Sequence, residues 1–234
     1  MVSLKELLQH IFSQEIKLTE NHAIVYGKGT LNNLPIHILG VKEPIFFGVE
    51  QALIMAQHVI EILESGSKDP VLLLVDVAGQ ELTMHDEWLG MQQYYGHLLE
   101  CLECLRQQGN ILVSLVSNQA LGGAFIAYGL MADTILALPE ASLAVMWLEG
   151  IAKVTKIELS TLQELSKTLP VFAPGVHNFY ALGGLHDIVA PSELAQKIYW
   201  AIQNKNTQDN RARLGSERGG RKFAYSIINK VAHH

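Results

Sequence analysis

Apolar and polar positions along this chain follow two rhythms. Ala23 to Gly27 and Leu34 to Leu39 are short strand-like runs on either side of a polar turn at Asn32-Asn33. From Gly48 to Glu64 the apolar residues Val49, Leu53, Ala56, Ile60 and Leu63 recur at helical spacing, and Ser65 to Pro70 ends that helix. Val71 to Val77 is then almost continuously apolar, as expected of a strand buried on both faces of a parallel sheet.

The alternation repeats. A loop at Ala78-Gly79-Gln80 leads to one long helix from about Met84 to Gln108, stopped by Gly109-Asn110. Trp88, Met91, Tyr95 and Leu99 on that helix suit either the core or an association surface. Ile111 to Ser117 is a second buried strand, and a turn at Asn118 to Leu121 opens a helix at Gly122-Gly123. That helix is apolar on nearly every face through Ala124, Phe125, Ile126, Ala127, Leu130 and Met131, so it belongs inside the protein. Strands near Thr134 to Leu138 and Leu143 to Met146 precede a more polar helix from Ile157 to Thr168, and Pro191-Ser192-Glu193 begins another running to about Gln203. This order implies an α/β fold with right-handed crossovers. Residues 1–203 form the expected domain, followed over 204–234 by a polar basic loop and a C-terminal helix.

Composition narrows the function classes. Of 234 residues, 49% are hydrophobic and 17% charged, which supports a large core and argues against disorder. A formal charge of −6 disfavours a general nucleic-acid binder. No apolar run is long enough to span a membrane, and Met1 to Glu6 lacks a secretory pattern, so a cytoplasmic location is expected. Cys101 and Cys104 have no partner pair and read as buried, reduced thiols. The ten histidines form no ligand pattern, so no metal is assigned. The basic run Arg211 to Lys222 is either a dock for an acidic protein or a solvated loop.

The informative stretch is Ser117 to Phe125, where a buried strand turns into a helix that starts on two glycines. Amides in the first turn of a helix lack internal partners, and glycine lets an oxygen approach them closely. The pair therefore serves either an oxyanion hole or simple close packing. Ala124-Phe125 rules out a P-loop, and neither a G-x-G-x-x-G turn nor a G-x-S-x-G elbow is present. A hole without a nucleophile suits enolate chemistry.

Val75 to Gln80 and Gly122 to Asp133 resemble the carboxyltransferase branch of the crotonase superfamily. Ala137 to Ala141, Val145-Met146, Ala152 to Lys156 and Pro170 to Gly175 narrow the resemblance to malonate decarboxylase gamma subunits. The resemblance implies the crotonase (ClpP-like) fold, a spiral of repeated ββα units. It implies a close complex with a homologous beta subunit, an acyl carrier subunit and the alpha transferase subunit. The complex would decarboxylate malonyl held as a thioester on the carrier's phosphoribosyl-dephospho-CoA arm, with no tightly bound cofactor and no biotin. Gly122, Gly123 and Gly79 would supply the backbone hole, with Glu149 as a catalytic carboxylate and Ala78, Gln80, Ala124, Lys153 and Lys156 around the substrate. The family usually has Ser-Gly where this chain has Gly122-Gly123. Glu149 and Glu140 could instead be salt-bridged, and Lys153 and Lys156 solvated. Three other functions fit less well or differently: an enoyl-CoA hydratase or isomerase, disfavoured by Ala127 where a glutamate is needed; the carboxyltransferase half of a biotin-dependent carboxylase; and a non-catalytic scaffold subunit.

Overall fold

The computed structural model describes residues 2–205, 208–221 and 224–232. Its nine strands are β1 (Leu18–Asn21), β2 (Ile24–Leu31), β3 (Leu34–Val41), β4 (Ile45–Phe47), β5 (Val71–Gln80), β6 (Leu112–Leu121), β7 (Thr134–Ala137), β8 (Ser142–Ala144) and β9 (Asp187–Ile188). They form one sheet in the order β1-β2-β3-β5-β6-β7-β9, with β4 added to β5 and β8 added to β6. The hairpin β2–β3 turns on Asn32 and Asn33, both at positive φ, which matches the twist that a two-residue loop requires. From β3 onward the pairings are parallel.

Strands β5 and β6 set the plan. The first half of β5 pairs with β3, from His37↔Val71 to Gly40↔Leu74, and its end pairs with β4, from Ile45↔Val77 to Phe47↔Gln80. Likewise β6 pairs first with β7 and then, at Gln119 to Leu121, with β8. Each ten-residue strand thus runs through two successive ladders, the repeated ββα construction expected of the sequence. Ala78 to Gln80 and Asn118 to Leu121 are therefore strand and not the loop and turn that their composition suggests. Short strands from elsewhere in the chain, which local sequence does not announce, pair with them.

Alternation along β5 separates two cores. Leu73, Val75 and Val77 face Met55 of α2 (Val49–Glu64), Leu98, Leu102 and Leu105 of α4 (Met91–Gln108), and Phe125 of α5 (Gly122–Ala127). Leu72 and Leu74 face Leu7 and Ile11 of α1 (Leu4–Ile11) and Ile198 and Ile202 of α9 (Leu194–Gln203). Each such leucine, fully removed from water, contributes about 1.5–3 kcal/mol.

Four further expectations change. The helix expected over Met84 to Gln108 is two, α3 (Met84–Leu89) and α4, because Gly90 takes a left-handed φ of +79° between them. Trp88 consequently projects into solvent at 81% exposure, whereas Met91 is buried. Cys101 is buried but Cys104 is exposed, and both are free thiols. An additional helix, α6 (Leu148–Thr155), lies between β8 and α7 (Leu159–Ser166) and ends where Lys156 adopts φ +62°.

Among the described residues after 203 the expected C-terminal helix is present, and the basic run before it is helical and packed where a solvated loop was one of the two expectations. Beyond α8 (Val176–Ala181), α10 (Arg211–Glu217) packs on the body and α11 (Ala224–Ala232) follows. Arg218 donates to the carbonyls of Tyr180 and Leu185 through Nη1 and of His186 through Nη2, and its guanidinium lies 3.6 Å over the Tyr180 ring. Arg211 donates to Leu130 O and Arg221 to Leu182 O. A Cβ at Gly215 or Gly220 would meet the Leu182 or Ala181 carbonyl oxygen at 2.3 or 2.1 Å, so the Arg-Gly composition of this run is a packing requirement. Lys222 lies outside the described residues.

Candidate active site

The site is built where β5 and β6 end. Gly79, paired with Phe46 near the end of β5, has φ +136° and Gly122 opens α5 at φ +62°, conformations that L side chains rarely adopt. A Cβ on Gly122 would stand 3.7 Å from Gly79 Cα and 3.8 Å from Gln80 N, so the two strand ends lie against each other. The ring of Phe46, on β4, would lie 3.7 Å from a Cβ at Gly79.

The Gly123 amide points at this junction and is engaged. It donates to Oε1 of Gln80 at 3.1 Å. The structure thus brings Gly79, Gln80, Gly122 and Gly123 together, all half-buried with Ala78. Helix α5 has only six residues, so the individual amides matter more than a summed dipole. Ala124 is fully buried in the core. Glu149 and Lys153 are exposed on α6 and Lys156 is exposed at its C-cap. Among the described residues no hydrogen bond or ion pair links these three to the glycine cluster.

Two supporting groups were not singled out by sequence reasoning. Asp76 lies 3% exposed at a slip in the β5–β6 register, accepting Asn118 Nδ2 at 2.7 Å and Gln119 N at 3.0 Å. Burial pushes its carboxyl upward, opposed by those two hydrogen bonds. The signal was a single charge inside an apolar run, Val75-Asp76-Val77. Tyr95, from α4, donates its hydroxyl to the Phe47 carbonyl at 2.5 Å and braces β4, and burial raises its pKa above the ordinary tyrosine value.

Apolar side chains are exposed near these strand ends: Phe46 on β4 itself, Leu82, Met84 and Trp88 in the segment after β5, and Val145 and Trp147 in the segment after β8. Among the described residues no group of His, Cys, Asp or Glu is placed to hold a metal, and no helix is long and apolar enough to cross a membrane.

Comparison with known proteins fits this architecture. In overall shape the chain is similar to a Pseudomonas malonate decarboxylase hetero-tetramer in complex with coenzyme A, with a TM-score of 0.81 at 20% identity over 99% of this chain and 98% of that one. It is similar also to the transcarboxylase 12S core, with a TM-score of 0.70 at 18% identity over 88% of this chain and 42% of that one. These likenesses establish a crotonase-type fold. In sequence it is 34% identical over 202 residues to the malonyl-S-ACP:biotin-protein carboxyltransferase MADD of Malonomonas rubra, covering 77% of this chain and 69% of that protein. It is 25% identical to the chloroplastic acetyl-coenzyme A carboxylase carboxyl transferase subunit beta of Cucumis sativus, covering 84% of this chain but only 37% of that subunit. The sequence profile described as malonate decarboxylase gamma subunit matches residues 43–234. The chain belongs to the malonate decarboxylase gamma subunit family.

Proposed function

We propose that this chain works with a beta-type subunit to decarboxylate a malonyl thioester presented by an acyl carrier protein. The observation that carries the reading is the Gly123 amide, aimed at the junction of Gly79 and Gly122 and already matched to a planar carbonyl oxygen at 3.1 Å. In the reaction the bond between the carboxylate and the methylene carbon breaks. Its electron pair passes to an enolate whose oxygen takes hydrogen bonds from backbone amides, carbon dioxide leaves, and a proton completes the acetyl thioester. One good donor to such an oxygen lowers the barrier by about 2.7–4 kcal/mol.

The exposed apolar side chains after β5 and β8 support a partner. A Pseudomonas MdcD-MdcE hetero-dimer is a structural neighbour with a TM-score of 0.77, and burial of Trp88, Met84 and Leu82 against a homologous subunit would close the site to water. Lys153 and Lys156, exposed on and beside α6, are the cations offered to the phosphates of the carrier's phosphoribosyl-dephospho-CoA arm, and Glu149 is the nearby carboxylate. The test is to co-express the chain with its beta-type subunit and offer malonyl-carrier. Carbon dioxide release that falls with Trp88→Asp, in step with loss of co-purification, supports the reading. Release by the partner alone at the same rate sinks it.

The 34% likeness to a biotin-protein carboxyltransferase favours a second reading, in which the carboxyl group passes to a biotinyl protein. Avidin separates them: inhibition indicates transfer to biotin, and indifference indicates direct decarboxylation.

A further inference from the structure

The carboxamide of Gln80 is held in an unusual way. Its backbone is fixed by pairing with Phe47 on β4, and the following amide, Glu81 N, donates to Phe47 O at 2.8 Å. Its side chain reaches across to the first turn of α5, where the hydrogen bond from Gly123 N is its single partner among the described residues. A Cβ at Gly123 would lie 2.5 Å from Gln80 Oε1, so glycine at 123 is what admits this oxygen.

We propose that Gln80 is a resident stand-in for the substrate oxygen, filling the Gly123 amide until an acyl thioester displaces it and thereby setting the affinity of the site for carbonyl ligands. The inference rests on the reading that this amide receives a malonyl thioester oxygen. A carboxamide oxygen and a thioester oxygen are both planar, neutral acceptors, so they compete for one donor on similar terms. Rotation about the side-chain bonds vacates the position without disturbing either ladder. The enolate, which bears charge, outcompetes the neutral amide, so the competition weighs on substrate binding more than on the chemical step.

Steady-state kinetics of the complex with its beta-type subunit, using malonyl-CoA as the probe, decides the matter. Gln80→Ala should lower KM about three- to tenfold, the weight of one neutral hydrogen bond, without lowering kcat. Gln80→Glu places a carboxylate on the amide, so its KM should exceed wild type at neutral pH and approach it on acidification. A KM for Gln80→Ala that is unchanged or raised overturns the proposal and makes Gln80 a substrate-supporting group instead. If Gln80→Ala fails to assemble, Gln80→Ser opens the same space and is judged the same way. A wild-type complex that turns over no malonyl-CoA counts against the decarboxylase reading itself. Gln80 is then judged by the dissociation constant for acetyl-CoA: tighter binding in Gln80→Ala upholds the stand-in, equal or weaker binding overturns it.

Discussion

Asp76 Oδ1 accepts the backbone N–H of Gln119 at 3.0 Å, at the point where the β5–β6 ladder slips. A bulge strands amides that the ladder would otherwise satisfy, and here a carboxylate from the neighbouring strand takes one of them. Its other oxygen accepts Asn118 Nδ2, and Asn118 in turn exchanges hydrogen bonds with both the amide and the carbonyl of Val2. An amide side chain at 76 has one acceptor where two are used. Asp76→Asn should therefore destabilise the fold by about 1–3 kcal/mol in urea unfolding. Because burial raises this carboxyl above 3.8, its contribution is fullest in acid and declines as pH rises from 3.8 through the raised folded value. The wild-type advantage over Asp76→Asn should narrow accordingly.

Neighbouring glycines at the site should behave differently. Gly122 sits at φ +62°, so Gly122→Ala forces a left-handed alanine at a cost of roughly 1–2 kcal/mol, readable as a lower melting temperature. Gly123 is free of that constraint, and the one close clash of a new methyl is with the far end of Gln80. Gly123→Ala should thus fold with a loss under about 1.5 kcal/mol, the hydrogen bond to Gln80. If the Gly123 amide is the oxyanion donor of the proposed reaction, its methyl should cut turnover of the assembled complex by about 10²–10³.

His186 gives the acid side of the stability profile a distinct slope. Burial, then the nearby Arg211 and Arg218, hold its pKa below 6.5, against the opposing pull of Asn210 and Asp209. Nδ1 accepts Ile135 N at 3.0 Å, which leaves the ring neutral with its proton on Nε2. A depressed folded pKa means that its contribution is whole above 6.5 and is lost as pH falls from 6.5 through the folded value. His37, also depressed chiefly by burial, acts with the same sign. Thermal melts between about pH 5 and 7.5 should show a shallower decline for His186→Asn, which keeps an acceptor for Ile135 but cannot charge.

Two arginines in the last part of the chain should differ widely. Arg218→Ala removes three hydrogen bonds to carbonyls, of which that of Tyr180 keeps the Gly183 amide, and the stack on Tyr180, a loss of about 2–4 kcal/mol, with new proteolysis beyond residue 203. Arg213 forms an exposed pair with Glu217 one helical turn away. Arg213→Ala should change stability by no more than about 0.5 kcal/mol in the same assay.

Legibility from sequence tracked the range of the interactions. The Asn32-Asn33 turn, the helix after Gly48 and the apolar start of β5 depend on local pattern and were readable. The ends of β5 and β6 were not, because pairing with β4 and β8 makes them strands while their own residues look like turns. Gly90 was ambiguous, since glycine is tolerated inside helices and only its positive φ decides that one ends there. At the site the glycines were legible from the helix start. That Gln80 would meet Gly123 was not, because the two are 43 residues apart and meet only through the pairing of β5 with β6.

Those two strands also determine how the mouth can respond to a visitor. Gly79, one residue from the end of β5, and Gly122, directly after β6, are held by stiff rods stitched to each other and, on their outer edges, to β4 and β8. Moving them apart would mean unzipping main-chain pairing along several residues at once, so their spacing is fixed. A guest must be shaped to it, and any accommodation has to come from side chains swivelling at its lip.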